Sequence, residues 1–422
     1  MADSIQTPIP ETVSAARHQH SAWAPLREPL FRSLWSAAVV SYTGTWMQNV
    51  GAGWLMTQLT MSPLMVSLVA AATMLPVFLV ILPAGALADM MDRRRLLLLT
   101  QGWMVVASGL LGVFTLLGHV TPWILLGFTF LLGLGGVMND PAWQAITPEV
   151  VSAENHAPAV ALNSVGFNVA RAVGPALGGM VIAATNSGVA FLLNSASFFG
   201  VIFFLYRWKR KVPERVDTGR VRDAMLHGFR EARGSHVVRC VLLRTGAFSI
   251  GASSLLALLP ILARPHGPTG FGLSLGHFGL GALAGAAVLP RLRHHFSVDS
   301  LVMMATLLFA VMTATAGYVQ TFGWLSTVMF VAGAAWIAIL ACLNVAAQTM
   351  LPSWLRARGL SMYLLVLQGG MALGSAVWGG LANKIGVPLA LLCSALTITV
   401  GLFAVRRFPL EHNRVGMTAE HN

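Results

Sequence analysis

Residues 85–95, GALADMMDRRR, form a densely charged stretch between two long apolar runs at 63–84 and 96–117. Each run approaches the ~20 apolar residues that a helix needs to cross a hydrocarbon core about 30 Å thick. The charged stretch is therefore predicted to be a tight turn at one membrane face. Because short arginine-rich loops resist translocation, its three consecutive arginines predict that this face is cytoplasmic.

The composition of the whole chain points to the membrane as well. Of its 422 residues, 56% are hydrophobic and only 10% are charged, whereas soluble domains average about 25% charged residues. Apolar runs fill most of the length between residues 34 and 405. These features exclude an ordinary globular enzyme and predict an all-α, polytopic membrane protein.

The positive charges are distributed very unevenly. Of the 27 Lys and Arg residues, 23 lie in the terminal segments or in connections on the same side as the 85–95 turn. This asymmetry predicts that both termini are cytoplasmic, and it excludes a nucleic-acid-binding surface. The first thirty residues are polar and contain no apolar core of a signal peptide, so we expect a cytoplasmic tail.

Four positions of the charged stretch carry a family resemblance. Gly85, Asp89, Arg93 and Arg94 resemble the signature between helices 2 and 3 of the major facilitator superfamily. The resemblance implies twelve transmembrane helices in two six-helix bundles, with these four residues at a cytoplasmic gate. The alternative from the residues alone is a plain stop-transfer flank after an apolar helix.

The second half of the chain repeats the first. Gln144 and Pro148 match Gln348 and Pro352 with one offset, and the basic stretch at 207–238 separates six spans from six. Such a repeat is typical of transporters built from two related bundles. The expected divisions are a cytoplasmic tail at 1–30, a bundle at 31–206, a basic cytoplasmic linker at 207–238, a bundle at 239–406 and a cytoplasmic tail at 407–422.

The fifth predicted span carries a second signature. Its segment GPALGG, with Gly174, Pro175, Gly178 and Gly179, resembles the glycine-proline signature of exporters in the superfamily, which is thought to seal the outer side. Small residues four apart also allow close helix approach. Together with NDPAWQ at the end of helix 4, this segment is similar to bacterial siderophore exporters of the enterobactin type.

The first predicted span is unusually polar for a helix in lipid. Tyr42, Thr45 and Asn49 recur at helical spacing. Polar groups in a membrane need partners or an aqueous cavity, so this face is predicted to line a substrate cavity. The alternative is that these side chains only bond neighbouring helices.

Asp140 is the only carboxylate inside a predicted span, and Arg171 in span 5 is the nearest candidate partner. An ionised carboxylate near the bilayer centre costs about 2.5–3.5 kcal/mol on insertion scales. Asp140 and Arg171 are therefore candidates for proton coupling. The alternative is structural, as a fixed ion pair or as a contact of Asp140 with helix-end amides.

The second half supplies four further candidates for the cavity. Arg244 is a buried cation that either binds an anionic group or extends to the cytoplasmic interface. Trp336, Asn344 and Gln348 lie on span 10, and the resemblance implies that spans 1, 4, 7 and 10 line the cleft. A cavity with one acid and two arginines is expected to suit neutral or anionic amphipathic substrates.

These patterns and the resemblance together predict a proton-coupled exporter of small amphipathic molecules, siderophore or drug-like, working by alternating access as a monomer in the bacterial inner membrane. The alternatives are an importer of the same fold, a sensor or scaffold that binds without net flux, and an integral-membrane enzyme. Neither a ligand-spaced His cluster nor a nucleophile with a base occurs, so we expect no catalytic site, metal or cofactor. The expected partners are the small-molecule substrate and the lipid bilayer.

Overall fold

A computed structural model describes residues 22–208, 236–349 and 356–405. These residues form twelve long α-helices and a few short 3₁₀ turns, without a β-strand. The long helices are α1 (Pro29–Leu59), α2 (Pro63–Met90), α3 (Arg93–Leu116), α4 (Pro122–Ile146), α5 (His156–Ala184), α6 (Ser187–Arg207), α7 (His236–Leu262), α8 (Gly267–His295), α9 (Val298–Ala316), α10 (Phe322–Thr349), α11 (Arg356–Ile385) and α12 (Val387–Ala404).

The ends of these helices follow from local chemistry. The Asp92 carboxylate accepts a hydrogen bond from the backbone N–H of Arg95 (2.9 Å) and caps α3. Ser297 caps α9 in the same way. Side-chain acceptors at this position satisfy backbone donors that the first helical turn leaves free. At the tight connections after α3 and α11, Gly118 and Gly386 have φ values of 73° and 87°, a conformation that side-chain-bearing residues rarely adopt.

Eleven of the described helices are long and apolar enough to cross a membrane, judged by length and composition. The twelfth, α1, has 31 residues and is more polar. It buries Ser41 and Gln48 against its neighbours. In lipid, such polar groups are tolerated where protein or a water-filled cavity surrounds them.

Two membrane faces follow from this order of helices. The helices α1, α3, α5, α7, α9 and α11 begin at the face that carries Arg93, which we name the basic face. They end at the other face, which we name the opposite face. The expected fold class of an all-α membrane protein is therefore present.

The helices pack as two bundles, α1–α6 and α7–α12. In the first, α3 packs against α6, and α1 against α5 and α6. In the second, α8 packs against α10, and α7 against α11. The bundles meet mainly along two helix pairs, α2 with α11 and α5 with α8, and α2 also packs against α7. The stretch 209–235 and the segments 1–21 and 406–422 lie outside the described residues, so the linker and both tails stay predictions.

The bundles close on each other at the opposite face. A Cβ on Gly53 of α1 would stand 3.2 Å from the Phe271 ring of α8. Ser62 donates a hydrogen bond to Asn383 Oδ1 (3.1 Å), which joins the start of α2 to the end of α11. Towards the basic face, α4 and α10 are not among the helix pairs that pack extensively in the described part of the chain. Within the described residues, the contacts that seal the two bundles against each other therefore lie at the opposite face.

Candidate functional site

A cavity of about 270 Å³ lies inside the first bundle, on the basic side of the seal. All six helices of that bundle contribute to it, while the second bundle adds Gln368 of α11. The polar residues of its wall are Ser41, Tyr42, Thr45, Gln48, Asn49, Thr73, Gln101, Thr129, Asn139, Asp140, Asn194 and Gln368.

Four residues singled out from the sequence come together at this cavity. Tyr42, Thr45 and Asn49 share one face of α1, and Asp140 of α4 lines the same space. Residues three, four and seven apart lie on one side of a helix, which is why the polar spacing in α1 leads to one wall. The Asp140 side chain is exposed within this cavity.

Next to the helix face that carries Tyr42, a buried hydrogen-bond network fixes part of the cavity wall. Gln48 Oε1 accepts hydrogen bonds from Ser108 Oγ (2.6 Å) and from Asn194 Nδ2, which join α1, α3 and α6. All three side chains are buried. Buried polar groups that satisfy one another specify a single arrangement of their helices. This network therefore makes the polar part of the cavity wall rigid.

A second network orients α4. Gln101 Nε2 donates to Asn139 Oδ1 (3.0 Å), which ties α3 to the residue next to Asp140. Gln101 is 3% exposed, and its Oε1 atom has no hydrogen-bond partner within the described residues. A buried carbonyl oxygen without a partner costs about 1–3 kcal/mol. Because Gln101 lines the cavity, this acceptor is an unsatisfied polar atom of the cavity wall.

Aromatic side chains form much of the remaining wall. The rings of Tyr42 and Phe167 meet edge to face with centroids 5.5 Å apart, and Phe198 and Trp143 also line the cavity. Trp143 lies one helical turn after Asp140, and its indole N–H is buried without an acceptor in the described structure. The sequence signal for Trp143 is its i+3 spacing from Asp140; Phe167 on α5 has no such local signal.

Arg171 is not among the residues that line the cavity. Within the described residues, no ion pair joins it to Asp140. It is half-buried on α5, and its carbonyl oxygen faces Gly279 of α8, 3.1 Å from where a Cβ would stand. The fixed Asp140–Arg171 pair, one of the alternatives that the sequence left open, is absent from this conformation of the described chain.

The second-half candidates lie elsewhere. Arg244 is 8% exposed and pairs with Asp299 Oδ1 at 2.5 Å, which joins α7 to α9. Trp336 is buried with Phe248, Phe278 and Phe309 in the core of the second bundle.

The two remaining second-half candidates, Asn344 and Gln348, hydrogen-bond to each other along α10. Like Arg244 and Trp336, neither lines the cavity. Arg244 does not line this cavity because its ion pair with Asp299 holds it in the second bundle, and Trp336 does not line it because an aromatic core buries it.

The charged stretch is held within the first bundle. Arg93 Nη1 donates to Ala145 O (3.0 Å) and to Glu149 Oε1 (2.9 Å) at the end of α4. Arg94 donates to the carbonyl oxygens of Leu205 and Tyr206, both at 2.7 Å, at the end of α6. Cations are favourable at helix C-termini, where carbonyl groups are free.

The other two residues of this signature, Gly85 and Asp89, belong to the stretch 81–90. Its side chains lie outside the described part of the structure, so their contacts in the proposed gate stay predictions.

The helix-5 signature lies where α5 is held between α1 and α8. A Cβ on Gly174 or Gly178 would stand 2.7 Å from Trp46 Cβ or 2.8 Å from Met47 Cα, both on α1. A Cβ on Gly179 would stand 2.5 Å from Pro268 O, next to Gly272 of α8. The Pro175 carbonyl also abuts Gly272. The three glycines thus lack side chains where the backbones of α1, α5 and α8 approach closely.

Comparisons with known proteins agree with this architecture. A family model described as transmembrane secretion effector matches residues 20–421. A staphyloferrin A transporter of Staphylococcus aureus is 23% identical over 65% of this chain and 70% of its own length. An enterobactin exporter of Escherichia coli is 24% identical over 90% of this chain and 93% of its own.

A solved structure gives the same fold. A bacterial homologue of the human lysosomal transporter Spinster, in an inward-facing and occupied conformation, has a TM-score of 0.71. It is 14% identical and covers 92% of this chain and 98% of its own. At that identity the likeness shows the fold alone. With the family model spanning nearly the whole sequence, the chain belongs to the transmembrane secretion effector family of major facilitator transporters.

Proposed function

We propose that this transporter is a proton-coupled exporter of small amphipathic molecules that works by alternating access. The observation that carries the proposal is a carboxylate, Asp140, on the wall of a cavity that is sealed at the opposite face. A titratable group at the substrate site can bias two conformations through its charge state.

The orientation of the proposal rests on charge. The basic face carries the arginines of the 85–95 turn, and cationic short loops stay in the cytoplasm. With that face in the cytoplasm, both termini are cytoplasmic and the cavity is accessible from inside a bacterial cell. The names of the two relatives, a staphyloferrin A transporter and an enterobactin exporter, support transport of a small molecule, and the second supports export.

The proposed gate lies at the basic face. In the present conformation Arg93 and Arg94 bond to helix ends of their own bundle. We propose that Asp89 and these arginines contact the second bundle once the basic face closes. The Gly174–Gly179 signature acts at the other side, where it lets α5 and α8 approach closely enough to seal. One chain provides the whole cavity, which supports a monomeric transporter.

The test is directional flux in inside-out membrane vesicles. A deletion strain expressing the protein would first be profiled against siderophores, dyes and antibiotics to find a transported compound. We expect this compound to accumulate in energised vesicles, and a protonophore to abolish the accumulation. Asp140→Asn should lower accumulation to the level of vesicles without the protein, whereas Glu154→Gln, which neutralises an exposed carboxylate outside the cavity, should not.

Three outcomes would contradict parts of the proposal. Undiminished accumulation by Asp140→Asn, with normal membrane insertion, would exclude Asp140 as the proton carrier. Accumulation only in right-side-out vesicles would indicate an importer. Saturable binding without flux in either orientation would indicate a sensor or scaffold.

A further inference from the structure

We infer that the cavity recognises an organic cation, with an ammonium group held between Asp140 and the aromatic residues Tyr42, Trp143 and Phe167. This inference names a substrate class for the same site, so it rests on the proposed function. It departs from the neutral or anionic substrates that the sequence favoured.

The charge balance of the cavity is the first argument. Among the residues that form its wall in the described structure, Asp140 is the one charged side chain. The expectation of a neutral or anionic substrate depended on two arginines beside this acid. Arg244 is paired with Asp299 in the second bundle, and Arg171 does not line the cavity. An anion entering this space would meet a carboxylate with no cation to offset it.

The aromatic wall is the second argument. Tyr42 and Phe167 are in edge contact, and Trp143 projects from α4 one turn beyond Asp140, so the rings and the carboxylate border one space. The faces of aromatic rings attract ammonium groups, and Trp is the strongest of them. A carboxylate beside several aromatic rings is the chemistry expected for an amine or a quaternary ammonium rather than for a phosphate or another anion.

The polar atoms of the wall supply the third argument. Gln101 lines the cavity, and its buried Oε1 atom accepts no hydrogen bond in the described part of the molecule. An N–H donor of a protonated amine would satisfy it. The cavity volume of about 270 Å³ is just below the roughly 300–1,000 Å³ of drug-sized sites. It therefore fits a cationic head group with a compact apolar body.

The experiment measures binding of three small aromatic probes that differ in charge. Purified protein in a neutral maltoside detergent would be dialysed to equilibrium against benzyltrimethylammonium, benzenesulfonate or benzyl alcohol. We expect the cation to bind at least about tenfold more tightly than either of the others, a difference set by the charge at Asp140. Benzyl alcohol controls for partitioning into detergent.

Single substitutions show which residues cause this difference in affinity. Asp140→Asn should weaken binding of benzyltrimethylammonium about tenfold or more, and Trp143→Leu about 2- to 30-fold, the range of cation–π interactions. Glu154→Gln, which removes a carboxylate away from the cavity, is the matched control and should leave the affinity unchanged. An unshifted melting temperature for each variant would show that the fold is intact.

Two results would overturn the inference. One is tighter binding of benzenesulfonate than of the cation, with loss of that binding in Arg171→Gln. The other is equal affinity for all three probes and no effect of Asp140→Asn. Cation binding without flux in vesicles would support the inferred substrate class and count against export. Flux of an anionic compound without cation binding would support export and count against the inferred substrate class.

Discussion

At the scale of single residues, the Arg244–Asp299 pair shows how a buried charge is satisfied away from the cavity. Arg244 is enclosed within the second bundle, and Asp299 stands in the first turn of α9. A carboxylate there is favourable because the helix N-terminus is partly positive. The pair thus joins two helices by a charge-assisted bond whose loss would leave a buried ion without its partner.

We expect Arg244→Gln to lower the free energy of unfolding by about 1.5–3 kcal/mol, the range for hydrogen bonds to charged groups. Thermal unfolding in detergent measures it. In a double-mutant cycle with Asp299→Asn, the second substitution should cost much less than it does alone. The affinity for benzyltrimethylammonium should not change. Additive effects in the cycle would show that the pair contributes little.

Part of the cavity can be predicted from the sequence for a definite reason. Carboxylates and regularly spaced polar residues are rare in apolar helices, so Asp140, Tyr42 and Asn49 are conspicuous in the sequence alone. The sequence alone does not show which of Phe167 and Trp336 lies on the cavity and which lies in a core. Both are aromatic residues in apolar helices, and only the packing of helices far apart in sequence places one on the cavity and the other in a core.

At the scale of helices, each half brings the bundles together through a glycine on an equivalent helix, α5 in the first half and α11 in the second. Gly179 on α5 meets α8, and Gly379 on α11 meets Ser67 and Leu64 of α2. The likeness of GPALGG to GSAVWGG is visible in the sequence. That one glycine of each motif contacts the other bundle is not, because it depends on how α2, α5, α8 and α11 cross.

We expect Gly379→Ala to destabilise the protein by about 1–3 kcal/mol, the usual cost of overpacking. A Cβ there would stand 3.1 Å from Leu64 Cα and would collide with Ser67 Oγ. Gly380→Ala is the matched control, because a Cβ at that position meets no atom within 4 Å and alanine favours helix by up to about 1 kcal/mol. Scanning fluorimetry should therefore show opposite shifts. Equal shifts would mean that the α2–α11 approach is not tight.

At the scale of the whole molecule, the seal lies at the opposite face, and the cavity lies on the basic side of that seal. Contacts such as Ser62 with Asn383 hold the opposite face closed, while the described parts of α4 and α10 do not pack extensively against each other towards the basic face. If the two bundles rock as rigid bodies about a central site, the basic face closes as the opposite face opens. Residues matched by the repeat, Gln144 on α4 and Gln348 on α10, are both exposed in the present conformation and are expected to approach in the other.

Paired cysteines test this exchange in a background without Cys240, Cys342 and Cys393. We expect the Ser62→Cys/Asn383→Cys pair to cross-link readily and the Gln144→Cys/Gln348→Cys pair to cross-link poorly. Adding Gly379→Ala weakens the seal, so it should lower the first yield and raise the second, because a substitution that disfavours one state populates the other. Gly380→Ala should change neither yield. High yields from both pairs in the same molecules would mean that the bundles close at both faces together, which alternating access does not allow as the transporting step.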